Sequence, residues 1–375
     1  MNKDEIVIVS GVRTPFSKLD SAMADVASID LAVIVMKEVI RQAGIKPEEE
    51  DELNYGSCVL SEIALEADVP ARQASLLAGF SPELMSNTMD RACCSSLTAV
   101  RAGIASIKLG EAEIVMAVGA DNMPRAPHLV PNLRKGARLG HITMIDPMFE
   151  IGYGAKGFAS VAKESGEVAL ENGVTREMQD VWALGSQEKY AKAYADGIFK
   201  VGEEIVPVII PQKKGDPLVI DKDESPRKTT LEALAKLKPV YGSPTVTAGN
   251  APPLSAGASA LLIMTRKKAQ QMGLKPLATI VAAVGHAINP RRMAEVPAFT
   301  MEKAFRKTGL NIDQMDLIEI NEAFAAVTLT STKLLAKGDV KKWEEINAKT
   351  NIHGGAIALG HPVGASAARI TMHTA

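Results

Sequence analysis

Cysteine is scarce in this 375-residue chain: there are three, and two of them, Cys93 and Cys94, are adjacent. That set cannot build a disulfide framework, so a reducing compartment, the cytoplasm, is expected. Aromatic residues are only 4% of the chain, which leaves few platforms on which nucleic-acid bases could stack. Neither sign of charge dominates, because Lys+Arg 42 against Asp+Glu 44 leaves a formal net charge of -2. No basic surface argues for nucleic acid, and no run of like charge forms a tail. No apolar run is long enough to span a membrane, and the polar residues 1–5 lead straight into Ile6-Val7-Ile8-Val9, leaving no room for a signal peptide. Zinc-ligand spacing is missing as well, since His353 and His361 are not backed by a second pair. What is present is ordinary for a soluble globular protein, 46% hydrophobic and 23% charged. The length suffices for two or three domains sharing a large core.

Residues 6–9 read as a buried strand, followed by a turn in R-T-P-F at 13–16. Residues 29–43 read as a helix with Leu31, Ile34, Val35, Val39 and Ile40 on one face and Gly44 as its stop. A short link then leads to a strand at 52–56, and a similar phrase returns at 309–312 before a strand at 316–320. Strand, helix and strand repeated at such a distance predict two related α/β halves. Residues 113–120 are another buried strand, and 258–264 and 278–284 resume the core strands. Between them, the stretch rich in Gly, Pro, Met and charge reads as an insertion between the halves, with a helix near 177–196 and another in T-T-L-E-A-L-A-K-L.

The chemistry gathers around residues 87–110. Leu97, Val100, Ile104 and Ile107 recur at helical spacing and Gly110 closes the helix. Ser95 is a fair cap, so Cys93 and Cys94 sit where the chain turns into that helix. A thiol there faces unpaired backbone N–H groups and the positive end of the helix dipole, both favouring the nucleophilic thiolate. Taken alone, the stretch reads equally as two buried cysteines acting as small hydrophobes. Two further motifs share its layout of strand, polar turn and helix: N-E-A-F at 321–324, and G-G-A-I-A-L-G-H-P-V-G-A-S at 354–366, where His361 precedes Pro362. Ligands gather beyond the carboxyl ends of strands in α/β sheets, so the three turns could converge. Cys93, His361 and Asn321 together would supply a thiol nucleophile, a base, and an amide able to hold a water or an oxyanion. On spacing alone, His361 could instead cap a helix and Asn321 could be a turn residue.

With R-T-P-F, P-A-R-Q-A at 70–74, the Cys93 stretch, D-E-S-P-R-K-T-T-L-E-A-L-A-K-L-K-P from Asp223, V-T-A-G-N-A from Val246, N-E-A-F and G-G-A-I-A-L-G-H-P in this order, the chain resembles the thiolases of the acyl-CoA acetyltransferase type. The resemblance implies a five-layered αβαβα fold of two similar halves: 1–122 continued by 254–276, a loop domain at 123–253 for CoA binding and assembly, and a C-terminal half at 277–375. It implies Cys93 as the acylated nucleophile, His361 as its activator and part of an oxyanion hole, and Asn321 as holder of a catalytic water. Cys94, where the family has a small residue, reads as packing. Coenzyme A or acyl-CoA is expected as substrate, with no permanently bound cofactor, and a homodimer or homotetramer as the assembly. Arg227 and Lys228 suit the CoA phosphates, and Ala248 and Gly249 fall in T-A-G-N-A, with Pro252 directly after it where the family holds pantetheine. R-K-G-A-R-L-G at 134–140 resembles the loop used in tetramer assembly.

Gly152, Gly154 and Gly157 also spell the dinucleotide fingerprint, but Asp146-Pro147 breaks the strand that fingerprint needs. The chain departs from the family at Ser160-Val161-Ala162, in place of a His-Met-Gly phrase, and at Pro252, in place of a serine. Proline brings neither hydroxyl nor N–H. An acyl preference unlike that of a short-chain enzyme is therefore expected. Thiolases also carry a second cysteine in a C-x-G phrase beyond the G-H-P helix, whereas this sequence stops at Ala375 within that helix, so an incomplete C-terminal half and slow turnover are expected. The expected reaction is cleavage of 3-ketoacyl-CoA or the reverse Claisen condensation, as in fatty-acid metabolism. The alternatives are another condensing enzyme of the fold and an acyl-CoA-binding relative without turnover.

Overall fold

The computed structural model describes residues 5–149 and 157–375. Gly152 and Gly154 of the fingerprint lie outside the described residues. Along the first part of the chain run β1 (Ile6–Arg13), α1 (Ser28–Ala43), β2 (Glu52–Gly56), α2 (Leu60–Ile63), α3 (Pro70–Ala78), β3 (Met85–Met89), α4 (Ser95–Leu109) and β4 (Ile114–Asn122). The middle contributes α5 (Val161–Glu171), α6 (Arg176–Ala195), the hairpin β5 (Val208–Ile210) and β6 (Leu218–Ile220), and α7 (Leu231–Ala235). Then follow β7 (Ala256–Thr265), α8 (Arg266–Gln271), β8 (Ala278–Thr279), α9 (Val296–Thr308), α10 (Ala325–Leu335), α11 (Val340–Ala348), α12 (Ala356–Leu359) and α13 (Ser366–Thr374).

The central sheet has the order β3-β2-β4-β7-β1-β8. β2 runs parallel to β3 and β4, whereas β4, β7, β1 and β8 are antiparallel in turn. β1, β4 and β7 are apolar along nearly their whole length because both faces of the sheet are covered. Leu262 and Met264 of β7 pack with α1 residues Leu31, Val35 and Val39 on one face. Their neighbours Leu261 and Ile263 pack on the other face with Val100 and Ile107 of α4 and Ala368 and Met372 of α13. A helix from the last residues of the chain thus lies beside α4, which fixes where the active-site turns meet. The approach is close: a Cβ on Gly119 of β4 would fall 2.2 Å from the Gly364 carbonyl oxygen.

The two expected strands of the second half are only partly realised. Of 278–284, Ala278–Thr279 pairs as β8, and 316–320 makes one bridge, Ile318 with Thr350. In place of a ladder, the Asn351 amide acts as a surrogate strand. Its Oδ1 accepts from Ile320 N at 2.9 Å and its Nδ2 donates to Ile320 O at 2.9 Å. A side-chain amide can satisfy the backbone groups that a neighbouring strand would otherwise pair. R-T-P-F is more than a turn, because Arg13 ends β1 and is fully buried. Its guanidinium grips Asp223 at 2.6 and 3.0 Å and Glu204 at 2.6 Å, tying the middle segment to the sheet.

Candidate active site

Cys93 sits on a sharp elbow between β3 and α4. The backbone turns through Ala92 at φ 47, a left-handed conformation that costs a non-glycine residue energy and so needs outside support. Support comes from Asp90 Oδ1, which accepts from Ala92 N at 2.9 Å, and from Ser95. The Ser95 hydroxyl accepts from Arg91 N at 2.8 Å and donates to Ala92 O at 2.7 Å. Ser95 is therefore the first helical residue and a brace for the elbow, while Cys94 occupies the cap position without a side-chain cap. Cys94 is exposed, so packing is not its role; Cys93 and Cys58 are half-buried.

The three turns converge. His361 Nε2 lies 3.1 Å from Cys93 Sγ and 3.3 Å from Asn321 Nδ2. His361 Nδ1 lies 2.5 Å from Ser366 Oγ. Asn321 Oδ1 is buried without a protein partner among the described residues, an acceptor that suits a water. The electrostatics run opposite to the expected thiolate. Burial pushes the Cys93 thiol up to about 12, helped by the neighbouring Cys94, with only its own backbone N–H acting against this. Burial likewise lowers His361 to about 4, with the Arg369 charge adding to the effect. Both directions describe a resting pair of neutral thiol and neutral imidazole.

Buried polar hubs hold the turns in place. Asp121, at the end of β4, accepts from Ser57 Oγ at 2.6 Å, Cys58 N at 3.0 Å, Val59 N at 3.0 Å and Gly364 N at 2.5 Å. Burial still raises it to about 6. Glu322, next to Asn321, accepts from Trp182 Nε1, Ser186 Oγ, Asn351 Nδ2 and Ile357 N at 2.9 to 3.1 Å. A Cβ on Gly355 would lie 2.4 Å from the Glu322 carboxyl carbon, so only glycine lets the loop before His361 approach it. The backbone N–H of His361 donates to Ser255 Oγ at 2.9 Å. Asp121 and Ser255 escape a sequence reading because their partners lie 243 and 106 residues away; Glu322 and Ser366 stand inside the N-E-A-F and 354–366 motifs, which by themselves assign them no role.

The residues expected near CoA lie on one wall. Arg227 Nη2 donates to Ala248 O at 3.1 Å, and Arg227 N donates to Gln187 Oε1 at 2.9 Å. Gln187 Nε2 in turn reaches Ile357 O at 3.0 Å, connecting this wall to the His361 loop. Burial lowers the Arg227 pKa, and no carboxylate pairs with its guanidinium among the described residues. Lys228 and Ala248 are exposed, and Pro252 is half-buried. Gly249 is buried where a Cβ would meet Leu234 at 2.5 Å. Asn250 locks this turn, donating to Asp180 Oδ1 at 3.0 Å, while its carbonyl accepts from Ala325 N at the start of α10. Ser160 caps α5, accepting from Lys163 N at 3.0 Å.

Among the described residues no three His, Cys, Asp or Glu side chains are grouped to hold a metal, and no helix is long and apolar enough to cross a membrane.

Comparison with known proteins gives the same picture. Residues 6–267 match the family description "Thiolase, N-terminal domain" and residues 274–375 match "Thiolase, C-terminal domain". An acetyl-CoA acetyltransferase of Syntrophomonas wolfei is 41% identical over 98% of this chain and 90% of its own length. The crystal structure of the Bacillus anthracis acetyl-CoA acetyltransferase superposes with a TM-score of 0.91 at 34% identity, covering 99% of this chain and 91% of that one. Human mitochondrial 3-ketoacyl-CoA thiolase does so with a TM-score of 0.90 at 33% identity, over 99% and 91%. Elbow, converging turns and end-to-end similarity lead to one conclusion: the chain belongs to the thiolase family.

Proposed function

We propose that the protein is an acyltransferase that cleaves 3-ketoacyl-CoA with CoA, or runs the reverse condensation, through an acyl group on Cys93. The observation that carries this reading is the 3.1 Å contact between Cys93 Sγ and His361 Nε2. As Cys93 Sγ attacks the 3-keto carbon, its proton passes to His361 Nε2. The new Nε2–H then faces the developing oxyanion, together with a water held at Asn321 Oδ1. Collapse breaks the bond between C2 and C3, and the acetyl-CoA carbanion takes the proton from His361 Nε2–H as it leaves, so that neutral His361 can accept the proton of the incoming CoA thiol and return it to Cys93. A second CoA thiol attacks the acyl-cysteine, releases the shortened acyl-CoA and restores Cys93. Both neutral pKa directions suit a base-assisted attack more than a standing thiolate.

Arg227, free of a carboxylate, and exposed Lys228 would take the CoA phosphates, and the Ala248, Gly249 and Pro252 turn would carry pantetheine. Substrate CoA is the only CoA needed; no resident cofactor enters. In the domain division we favour, 1–122 with 254–276 carries Cys93, 123–253 shapes the substrate wall, and 277–375 carries Asn321 and His361. A homodimer is supported by β3, an edge strand with no strand partner on its outer side among the described residues and with Met85 62% exposed; two copies joined across it would extend the sheet. The 134–140 segment, with fully exposed Leu139, would serve a tetramer. Three free thiols suit the cytoplasm.

Incubation with acetyl-CoA followed by peptide mass spectrometry tests the covalent step, and acetoacetyl-CoA cleavage tests the reaction. Acetyl on Cys93 with cleavage is expected. Acetyl on Cys94 or Cys58 would overturn the site. CoA binding without any acylation would favour a binding relative.

A further inference from the structure

The pKa values of Cys93 and His361 do not say which ring nitrogen of His361 carries its proton, yet the reaction depends on it. Only a bare Nε2 can take the Cys93 proton. Asn321 presents Nδ2, which can only donate, to Nε2 at 3.3 Å, and Cys93 Sγ, which can donate its hydrogen or accept one, lies 3.1 Å away. On the other side, Ser366 Oγ lies 2.5 Å from Nδ1 and 2.8 Å from Pro362 O. A carbonyl only accepts, so the single hydroxyl hydrogen can serve Pro362 O and leave the oxygen lone pairs toward Nδ1. One arrangement suits both sides of the ring: Nδ1–H donates to Ser366 Oγ, Ser366 O–H donates to Pro362 O, and the single lone pair of bare Nε2 is shared between the Asn321 amide N–H and the Cys93 thiol. The opposite tautomer sets Nε2–H against the Asn321 amide N–H groups. Ser366 is 1% exposed and opens α13, the helix packed beside α4, so it cannot swing away to water.

We propose that Ser366 is a positioning residue that fixes His361 as the Nδ1–H tautomer and so gives Cys93 its base. It touches no reacting atom. It acts through the ring, and it continues to accept from Nδ1–H when His361 becomes the imidazolium. Ser255, which accepts from the His361 backbone N–H, holds the loop; Ser366 holds the ring.

The inference rests on His361 serving Cys93, and its test uses no acyl-CoA, so its failure is separable from failure of acyl transfer. Selective ¹⁵N labelling of histidine in the unmodified chain reads the tautomer directly at neutral pH. Nδ1–H at His361 is expected, and Nε2–H would overturn the proposal. In a second arm, iodoacetamide alkylation of Cys93 is followed by peptide mass spectrometry from mildly acidic to alkaline pH. Ser366→Ala should slow labelling near neutrality roughly 10- to 100-fold, by analogy with the loss of the hydrogen-bond partner that orients a metal-ligating histidine. It should also move the rise in rate to higher pH, and Ser366→Thr, which keeps the hydroxyl, should restore the profile. If Ser366→Ala lowers the unfolding midpoint but keeps the wild-type pH profile, Ser366 is only structural and the proposal fails.

Discussion

The region that presents Cys93 and the region that presents His361 and Asn321 are built on different principles. Cys93 stands at the end of a six-stranded sheet whose central strands are buried apolar residues on both faces. His361 and Asn321 come from a region with one isolated bridge at Ile318, held instead by Glu322, Asn351, Ser255 and Ser366. Apolar packing is non-directional and tolerates small shifts, so it suits a platform. Hydrogen bonds fix direction, and an orphaned donor costs about 1–3 kcal/mol. The side that must aim a ring nitrogen at a sulfur is the hydrogen-bonded side.

The comparison breaks most visibly if the aiming side is not needed. We expect His361→Ala to slow acylation of Cys93 by about 10²- to 10⁴-fold, as for loss of an aligned acid/base, with the sheet unaffected. Stopped mixing with acetyl-CoA and mass detection measures it. An unchanged rate would mean that the elbow alone activates the thiol.

The next effect separates the two principles. Leu262→Ala, in the middle of β7 and wholly buried, should cost about 2–5 kcal/mol of stability. Glu322→Ala should cost a comparable 3–5 kcal/mol, because four donors lose their shared acceptor. Urea unfolding reads both. The difference should appear in Cys93 alkylation by the folded protein: Leu262→Ala should label at the wild-type rate, Glu322→Ala about tenfold more slowly. Equal labelling rates would show that the polar hub stabilises without aiming.

The same contrast explains what could be read from the sequence. β1, β4, β7, α1 and α4 follow from runs and periods of apolar residues, because burial writes a repeat into the chain. Cys93, His361 and Asn321 were reachable through the ordered family motifs that carry them. By residue pattern alone His361 and Asn321 read equally as a helix cap and a turn residue, and in the structure His361 follows the short helix α12, not a strand. The contacts of Asp121 and Ser255 were not reachable: Asp121 meets Gly364 243 residues away, and His361 meets Ser255 106 residues away. No local period encodes such pairs. The strand expected at 316–320 is realised only as one backbone bridge at Ile318, and beyond it Ile320 pairs with a side chain, Asn351, which a propensity reading cannot see. The thiol's direction was misjudged because a helix terminus is visible in sequence and burial of its neighbours is not.

A smaller effect is expected at the substrate wall, which is tied to the hydrogen-bonded side through Gln187. Arg227→Ala should raise KM for CoA by roughly tenfold, the scale of one charge-assisted hydrogen bond, and leave kcat nearly unchanged. Iodoacetamide labelling of Cys93 should not move. A fall in kcat with KM preserved would instead place Arg227 among the groups that aim the site.

The smallest effect is a cancellation between one titrating group from each side. Burial holds His361 at about 4, below its ordinary 6.5. Between those values the unfolded chain binds more protons, so this group's contribution to stability is present above pH 6.5 and is lost as pH falls toward 4. Its size is about 3 kcal/mol at one pKa unit per 1.36 kcal/mol. Asp121 runs the other way: burial raises it from 3.8 to about 6. Between those values the folded protein binds more protons, so acidification relieves a cost of about 3 kcal/mol. The wild type should therefore show little net slope from this pair between pH 6 and 4. Asp121→Asn removes the relief, so its stability relative to wild type should worsen as pH falls through that window. His361→Asn removes the loss, so its relative stability should improve over the same range. Urea midpoints of the three proteins at several pH values measure these differences, in which the other titrating groups largely drop out. Parallel curves for all three would mean that neither burial perturbs its group, and the neutral resting pair derived for Cys93 and His361 would lose its support.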